Sequence, residues 1–192
     1  MKSSLLLIWV FLAFTSNVFA DWMLDTEEST LSFVTIKKNN IAEVSQFKQF
    51  VGSIDNKGKV SLSIDLSTVD TKISIRDERI KKHLFNASSY GSAMLEGFVD
   101  MSRISSLKLG GYYTDIVELT LSLHGVEKPV LAEVTVVKLD HDKWLVSSAR
   151  PVIVNAGDHG LVKGIEVLKK LAGLESISFA VPVTFELIFK GV

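Results

Sequence analysis

From Val60 to Leu66 apolar and polar residues alternate strictly, with Val60, Leu62, Ile64 and Leu66 on one side and Ser61, Ser63 and Asp65 on the other. A period of two lays one set of side chains on each face of a strand. After Asp70 the spacing changes. Asp77/Lys81 and Glu78/Lys82 stand four apart, Ile73, Ile80 and Leu84 fall near one helical side, and Ser74 with Asp77 fits a capping pair. The stretch Ser67–Phe85 therefore predicts a strand that turns sharply into a short charged helix.

The same alternation recurs along the chain. Leu31–Ile36 reads as a strand, and Val44–Ile54 as another in which Gly52 marks a bulge or tight bend. Asp55-Asn56-Lys57-Gly58 is a turn that pairs this strand with the one from Val60. Further strands are expected at Ala93–Met101, Ser106–Leu109, Ile116–His124, Val130–Lys138, Trp144–Ser148 and Val152–Val154, with Gly125–Pro129 as a turn. Leu161, Ile165, Leu168 and Leu171 recur at helical steps, so Leu161–Leu171 predicts a second helix ended by Ala172-Gly173. In Ile177–Phe189 every second residue is apolar. About eight strands, two short helices and no strand-helix alternation define a mainly β, antiparallel domain, closed as a barrel or packed as a sandwich.

Met1–Ala20 has the layout of a secretory signal peptide: Lys2, the apolar run Leu5–Phe14, then Val18-Phe19-Ala20 before the cut. That division gives a leader over 1–20, a single domain over 21–192, a soluble mature chain and export to the periplasm. Ten apolar residues fall short of the roughly 20 that span a bilayer. The sequence has no cysteine, which removes disulfides, cysteine-ligated zinc and a thiol nucleophile, while 47% hydrophobic residues supply a core. Without Lys2 the chain carries 20 basic and 22 acidic residues with no long basic run, which argues against nucleic-acid binding.

Catalytic signatures are lacking. His83, His124, His141 and His159 have no zinc-protease spacing, and no nucleophile elbow, Walker loop or dinucleotide motif is present. Asp140-His141-Asp142 reads as a solvated turn, and Asp158 as a helix cap. Arg76 beside Asp77 fits an ion pair fixing the strand-to-helix junction, or a contact to a phosphate or quinone oxygen at a barrel mouth.

Three stretches carry a resemblance. Ser67-Thr68-Val69-Asp70-Thr71 with Arg76-Asp77 and Lys82-His83-Leu84-Phe85 comes first, then Leu119–Val130 (LTLSLHGVEKPV), and at the start Trp22, Leu24-Asp25 and Ser29–Phe33. Together and in this order they resemble the YceI-like family. The sequence departs from the family pattern at Glu28, where a histidine is usual, at Leu84-Phe85, at Gly91-Ser92 and in Asn155–Leu161. The resemblance implies an exported, eight-stranded antiparallel lipocalin-like β-barrel with two short helices that holds an isoprenoid chain.

On that reading one face of the strands lines a cavity. The candidates for ligand contact are Phe33, Phe50, Leu62, Ile64, Phe85, Phe98, Leu119, Leu121, Val134, Val136 and Phe179, with Arg76 at the mouth. The expected ligand is a polyisoprenoid or isoprenoid quinone, with no other cofactor, no metal and no catalysis. Transient membrane contact and a homodimer complete the expected partners. The rival readings are an interaction or stress-response module with a filled core, and a lipid hydrolase or isomerase using His83 or Asp77.

Overall fold

The computed structural model describes residues 22–192; the leader and its cleavage point lie outside them. Strand β1 (Trp22–Lys37) is the longest element, and its neighbours divide it into two halves. Near its start it pairs with β3 (Phe50–Ile54), as Trp22 with Ile54, and beyond Ser32 it pairs with β2 (Ile41–Phe47), as Ser32 with Gln46. β2 and β3 are thus one stretch of chain broken at Lys48-Gln49. The break is held from the side: the Lys48 amide donates to the Thr68 carbonyl at 3.2 Å and the Gln49 amide to Thr68 Oγ1 at 3.1 Å.

The opposite edge of β1 pairs with β11 (Ala180–Gly191) between Trp22 and Phe33. Between Asp25 and Thr30 the register shifts, with five steps on β1 matching two on β11, from Ile188 to Glu186. The bulge has its own hydrogen bonds. Asp25 Oδ1 accepts from the amides of Glu27 and Glu28 at 3.0 and 3.2 Å, and buried Ser29 donates to the Asp25 carbonyl and accepts from the Ile188 amide at 2.8 Å. Such a bulge bends the strand, which a closing sheet requires.

The remaining strands are β4 (Lys59–Asp65), the two-residue β5 (Val69–Asp70), β6 (Ser92–Phe98), β7 (Tyr112–Leu123), β8 (Val126–Lys138), β9 (Lys143–Ser148) and β10 (Val152–Asn155). Antiparallel pairing runs β1-β3-β4-β6-β7-β8-β9-β11 and returns to β1, a closed ring of eight strands. β5 extends the sheet beside β2, and β10 pairs with the first half of β11. Closure leaves no edge in the ring itself.

Three α-helices are described: α1 (Ser74–Arg79), which runs on into a π-helical turn at Ile80–Phe85, α2 (Met101–Ser106) and α3 (Val162–Leu171). The π turn and α3 cover one end of the barrel, with Ile80, Phe85, Leu161 and Ile165 buried. α2 occupies the other end, where Ile104 is buried and Trp22 meets Trp144 edge to face at 5.6 Å.

Several expectations need correction. No strand forms at Ser106–Leu109: Asp100 accepts from the Ser102 amide at 2.9 Å and starts α2 instead. The β7–β8 turn is His124-Gly125 alone, both at positive φ, and Pro129 lies within β8 opposite Thr120. Ser74 does not cap α1; the N-cap residue is Ile73, and Asp77 instead bonds back to Thr71. Asp158 caps no helix, because Asn155 accepts from the Gly157 amide and starts a 3₁₀ turn before α3. Gly52 sits in regular register opposite Leu62, without a bulge.

Gly164 sets how closely α3 approaches the π turn. A Cβ there would lie 2.6 Å from the His83 carbonyl oxygen and 2.8 Å from Leu84 Cα. Both contacts are backbone, so the elements would have to part. Gly164→Ala should cost about 1–3 kcal/mol despite alanine's better helix propensity; equal or higher stability in urea unfolding would contradict this packing.

Candidate functional site

The barrel encloses a cavity of about 1260 Å³. Its walls are inward residues of period two: Val60, Leu62 and Ile64 on β4, Val117, Leu119 and Leu121 on β7, Val130, Ala132, Val134 and Val136 on β8, and Val181, Val183, Phe185 and Leu187 on β11. That volume exceeds the roughly 300–1,000 Å³ of common ligand pockets.

Nine of the sequence candidates are placed on the inner wall or at the mouth: Phe33, Leu62, Ile64, Arg76, Phe85, Leu119, Leu121, Val134 and Val136. Phe33, Phe47 and Phe85 form a row, with centroids 5.2 and 6.0 Å apart, leading from β1 across β2 to the π turn. Three other candidates are placed differently. Phe50 is buried and points inward but packs into the core without reaching the cavity. Phe179 precedes β11, is 38% exposed and lies off the cavity. Phe98 is 68% exposed, because the inward phase of β6 is Ala93, Leu95 and Gly97; it touches the cavity only where this opens between β6 and β7. The β6–β7 ladder stops at Gly97 opposite Leu119, while β7 continues toward Tyr112 paired with β8 alone.

The mouth lies at the α1 end and carries polar groups that the sequence reading passed over. On β1 the inward face runs Leu31, Phe33, Thr35, Lys37, and Glu43 is inward on β2 opposite Thr35. Glu43 Oε2 accepts from Lys37 Nζ at 2.8 Å and from an Arg76 guanidinium nitrogen at 2.6 Å. Lys37 beside Glu43, and then Arg76, hold the Glu43 carboxyl below its ordinary value. Arg79 also faces the opening and donates to the Leu171 carbonyl at 3.3 Å, tying α1 to the end of α3. Two cations on one carboxylate leave guanidinium and ammonium hydrogens for another acceptor. The signal for Lys37 was its phase with Leu31 and Phe33.

The base of α1 is fixed from within. Asp77 Oδ1 accepts from the Thr71 amide at 2.9 Å and its hydroxyl at 2.6 Å, while Asp70 pairs with Lys48 and Lys72 at 3.0 and 3.1 Å. The backbone amide of Lys72, and then both lysine side chains, hold the Asp70 carboxyl far below its ordinary range. Elsewhere His159 is buried against the Val126 carbonyl at 3.2 Å, and His124 stacks near Tyr90 at 4.3 Å. Among the described residues no three His, Asp or Glu side chains are arranged to hold a metal.

A closed antiparallel barrel around a largely apolar cavity, with a charged mouth at the α1 end, is a lipocalin-like fold. The YceI-like domain model matches residues 22–189, and the chain belongs to the YceI-like family. In structure it is similar to a polyisoprenoid binding domain from Saccharophagus degradans implicated in plant cell wall breakdown, at 33% identity and a TM-score of 0.88 over 91% of this chain and 100% of that one. BcnA of Burkholderia cenocepacia shares the fold at 18% identity and a TM-score of 0.65, over 86% of this chain and 98% of its own. So does the Campylobacter jejuni YCEI protein, at 16% identity and a TM-score of 0.54, over 75% and 82%. No protein of curated function matches in sequence.

The Glu43 trio sets a pH dependence. A carboxyl whose folded value is depressed adds stability above its ordinary value of 4.5, and that stability is lost as pH falls through the lower folded value. Glu43→Gln should therefore destabilise the protein at neutral pH by a margin that shrinks steadily below pH ~4.5. A margin constant down to pH ~3, by thermal unfolding, would contradict the coupling.

Proposed function

We propose that this protein is a non-enzymatic carrier that shelters an amphiphilic isoprenoid, a quinone or polyprenyl lipid, with its tail in the barrel and its head at the Arg76 mouth. The observation that carries the reading is the apolar cavity of about 1260 Å³ ending at the Lys37–Glu43–Arg76 cluster. The similarity to a polyisoprenoid binding domain supports the ligand class. The leader-like Met1–Ala20 supports export to the periplasm, where a lipid crossing water between membranes needs such shelter.

The energetics favours a long tail. Each isoprene unit contributes on the order of 3–4 kcal/mol at about 0.8 kcal/mol per buried CH₂. Association and ordering cost roughly 4–15 kcal/mol, so several units must be enclosed before retention is tight. The head adds less energy and more orientation: Arg76 and Lys37 present donors to a phosphate or quinone oxygen beside a carboxylate already engaged. No bond is made or broken in this account.

Native mass spectrometry of the mature protein should show an isoprenoid mass retained from the host membrane. Ala132 is fully buried on the cavity wall, so Ala132→Trp should fill the space and reduce polyprenol retention at least tenfold while the barrel still folds. Arg76→Ala should weaken retention less than tenfold, since the tail stays buried. Undiminished lipid in folded Ala132→Trp, by circular dichroism and mass spectrometry together, would refute the carrier.

A further inference from the structure

The rim of the mouth carries both exposed apolar groups and an excess of positive charge. Ile75 is 59% exposed, Ile73 and Leu171 are 44% and Ile41 is 42%. Hydrogen bonds on three sides place these residues around one opening. Arg76 joins α1 to Glu43 on β2, and Arg79 joins α1 to the Leu171 carbonyl. The Lys38 amide donates to the Ser176 carbonyl at 3.1 Å, and Ser176 Oγ to Asn39 Oδ1 at 2.7 Å, joining the β1–β2 turn to the segment after α3. The opening is thus ringed by the β1–β2 turn, α1 and the end of α3.

Charge is distributed unevenly between this ring and the rest. The segments 37–48, 70–82 and 166–178 that build it hold ten basic and six acidic residues. The other described residues hold ten basic and fifteen acidic. A chain near neutrality overall is therefore polarised, with its positive pole around the cavity mouth and its negative remainder behind. Lys38 and Lys170 are exposed at this pole, and neither lines the cavity.

We infer that this rim is a docking face for an anionic bilayer surface, through which the cargo passes between membrane and barrel. Isoleucine and leucine side chains on short, fixed elements insert at the headgroup boundary, while the surrounding lysines and arginines meet lipid phosphates. Each basic residue near such a surface adds to the attraction, which fades beyond a Debye length. A second copy of the chain fits the rim less well, because apposing two rims brings two positive poles together. Docking in this orientation aligns the opening with the bilayer, so an isoprenoid tail moves from one apolar environment to another without crossing water.

The inference rests on the carrier reading, and one experiment separates the two. Lipid-stripped full-length mature protein is sedimented with vesicles of neutral phosphatidylcholine, with and without about one-third phosphatidylglycerol, at low and high salt. A polyprenol-binding assay in detergent-free buffer runs beside it. Wild type should bind the anionic vesicles at least tenfold better than neutral ones, and raised salt should remove most of the difference. The double variant Lys38→Glu/Lys170→Glu should lose at least tenfold in vesicle affinity, and Ile41→Ser/Leu171→Ser should lose the binding that persists in high salt. Both should bind polyprenol in solution like wild type. Equal binding to neutral and anionic vesicles, an unaffected charge variant, or a dimer that protects the rim from labelling would overturn the docking face. Vesicle binding without polyprenol binding would leave the docking face standing and overturn the carrier.

Discussion

Closure of the barrel depends on β1, which must satisfy two different sets of neighbours along one edge while holding β11 along the other. A straight strand of sixteen residues cannot do so without opening the ring. The bulge between Asp25 and Thr30 supplies the bend, and Ser29 and the Asp25 side chain take up the backbone groups that the shifted ladder leaves unpaired. Lys143 and Lys190 then pair with the acids of the bulge, Lys190 with both Asp25 and Glu28 and Lys143 with Glu28. Where the family usually has a histidine, Glu28 thus anchors the β1–β9–β11 seam, an external structural role away from the cavity.

Once the ring is closed, the cavity follows from side-chain size. The inward side chains of β4, β7, β8 and β11, mostly valine and leucine with Ala132 and Phe185, form a largely apolar wall. A polar lining would have drawn water, whereas an apolar one keeps its affinity for hydrocarbon. The covering helices close over the cavity at one end, with Gly164 letting α3 rest directly on the π turn. Charged side chains border the cavity at the mouth beside α1, where Glu43 joins the β2 wall to α1 through Arg76, and again where it opens between β6 and β7 beside Glu96 and Glu118.

Much of this was legible in the chain. Period-two runs such as Val60–Leu66 and Ile116–His124 correspond to strands β4 and β7, and the helical spacing of Leu161, Ile165 and Leu168 to α3. The alternation also gave the right wall residues wherever its phase was unambiguous, as for Leu119, Leu121, Val134 and Val136. It misled where an aromatic sat out of phase or outside the strand. Phe98 follows Gly97, and glycine, the true inward residue, carries no hydrophobic signal. Phe179 continues the pattern of β11 backward past the point where the strand begins. Arg76 was expected at the mouth, but its partners Lys37 and Glu43 were hidden for a different reason: the three come from different elements, and only the fold brings them within hydrogen-bonding distance.

In the proposed carrier, affinity comes from removing hydrocarbon from water, and polar groups set only orientation. A crystal structure of the protein purified from its host without lipid stripping tests this most directly. Continuous ligand density should run from the Lys37–Arg76 mouth into the barrel between the β4, β7 and β8 walls. A barrel that collapses so that Leu121, Val134 and Phe185 meet at its centre would contradict the account.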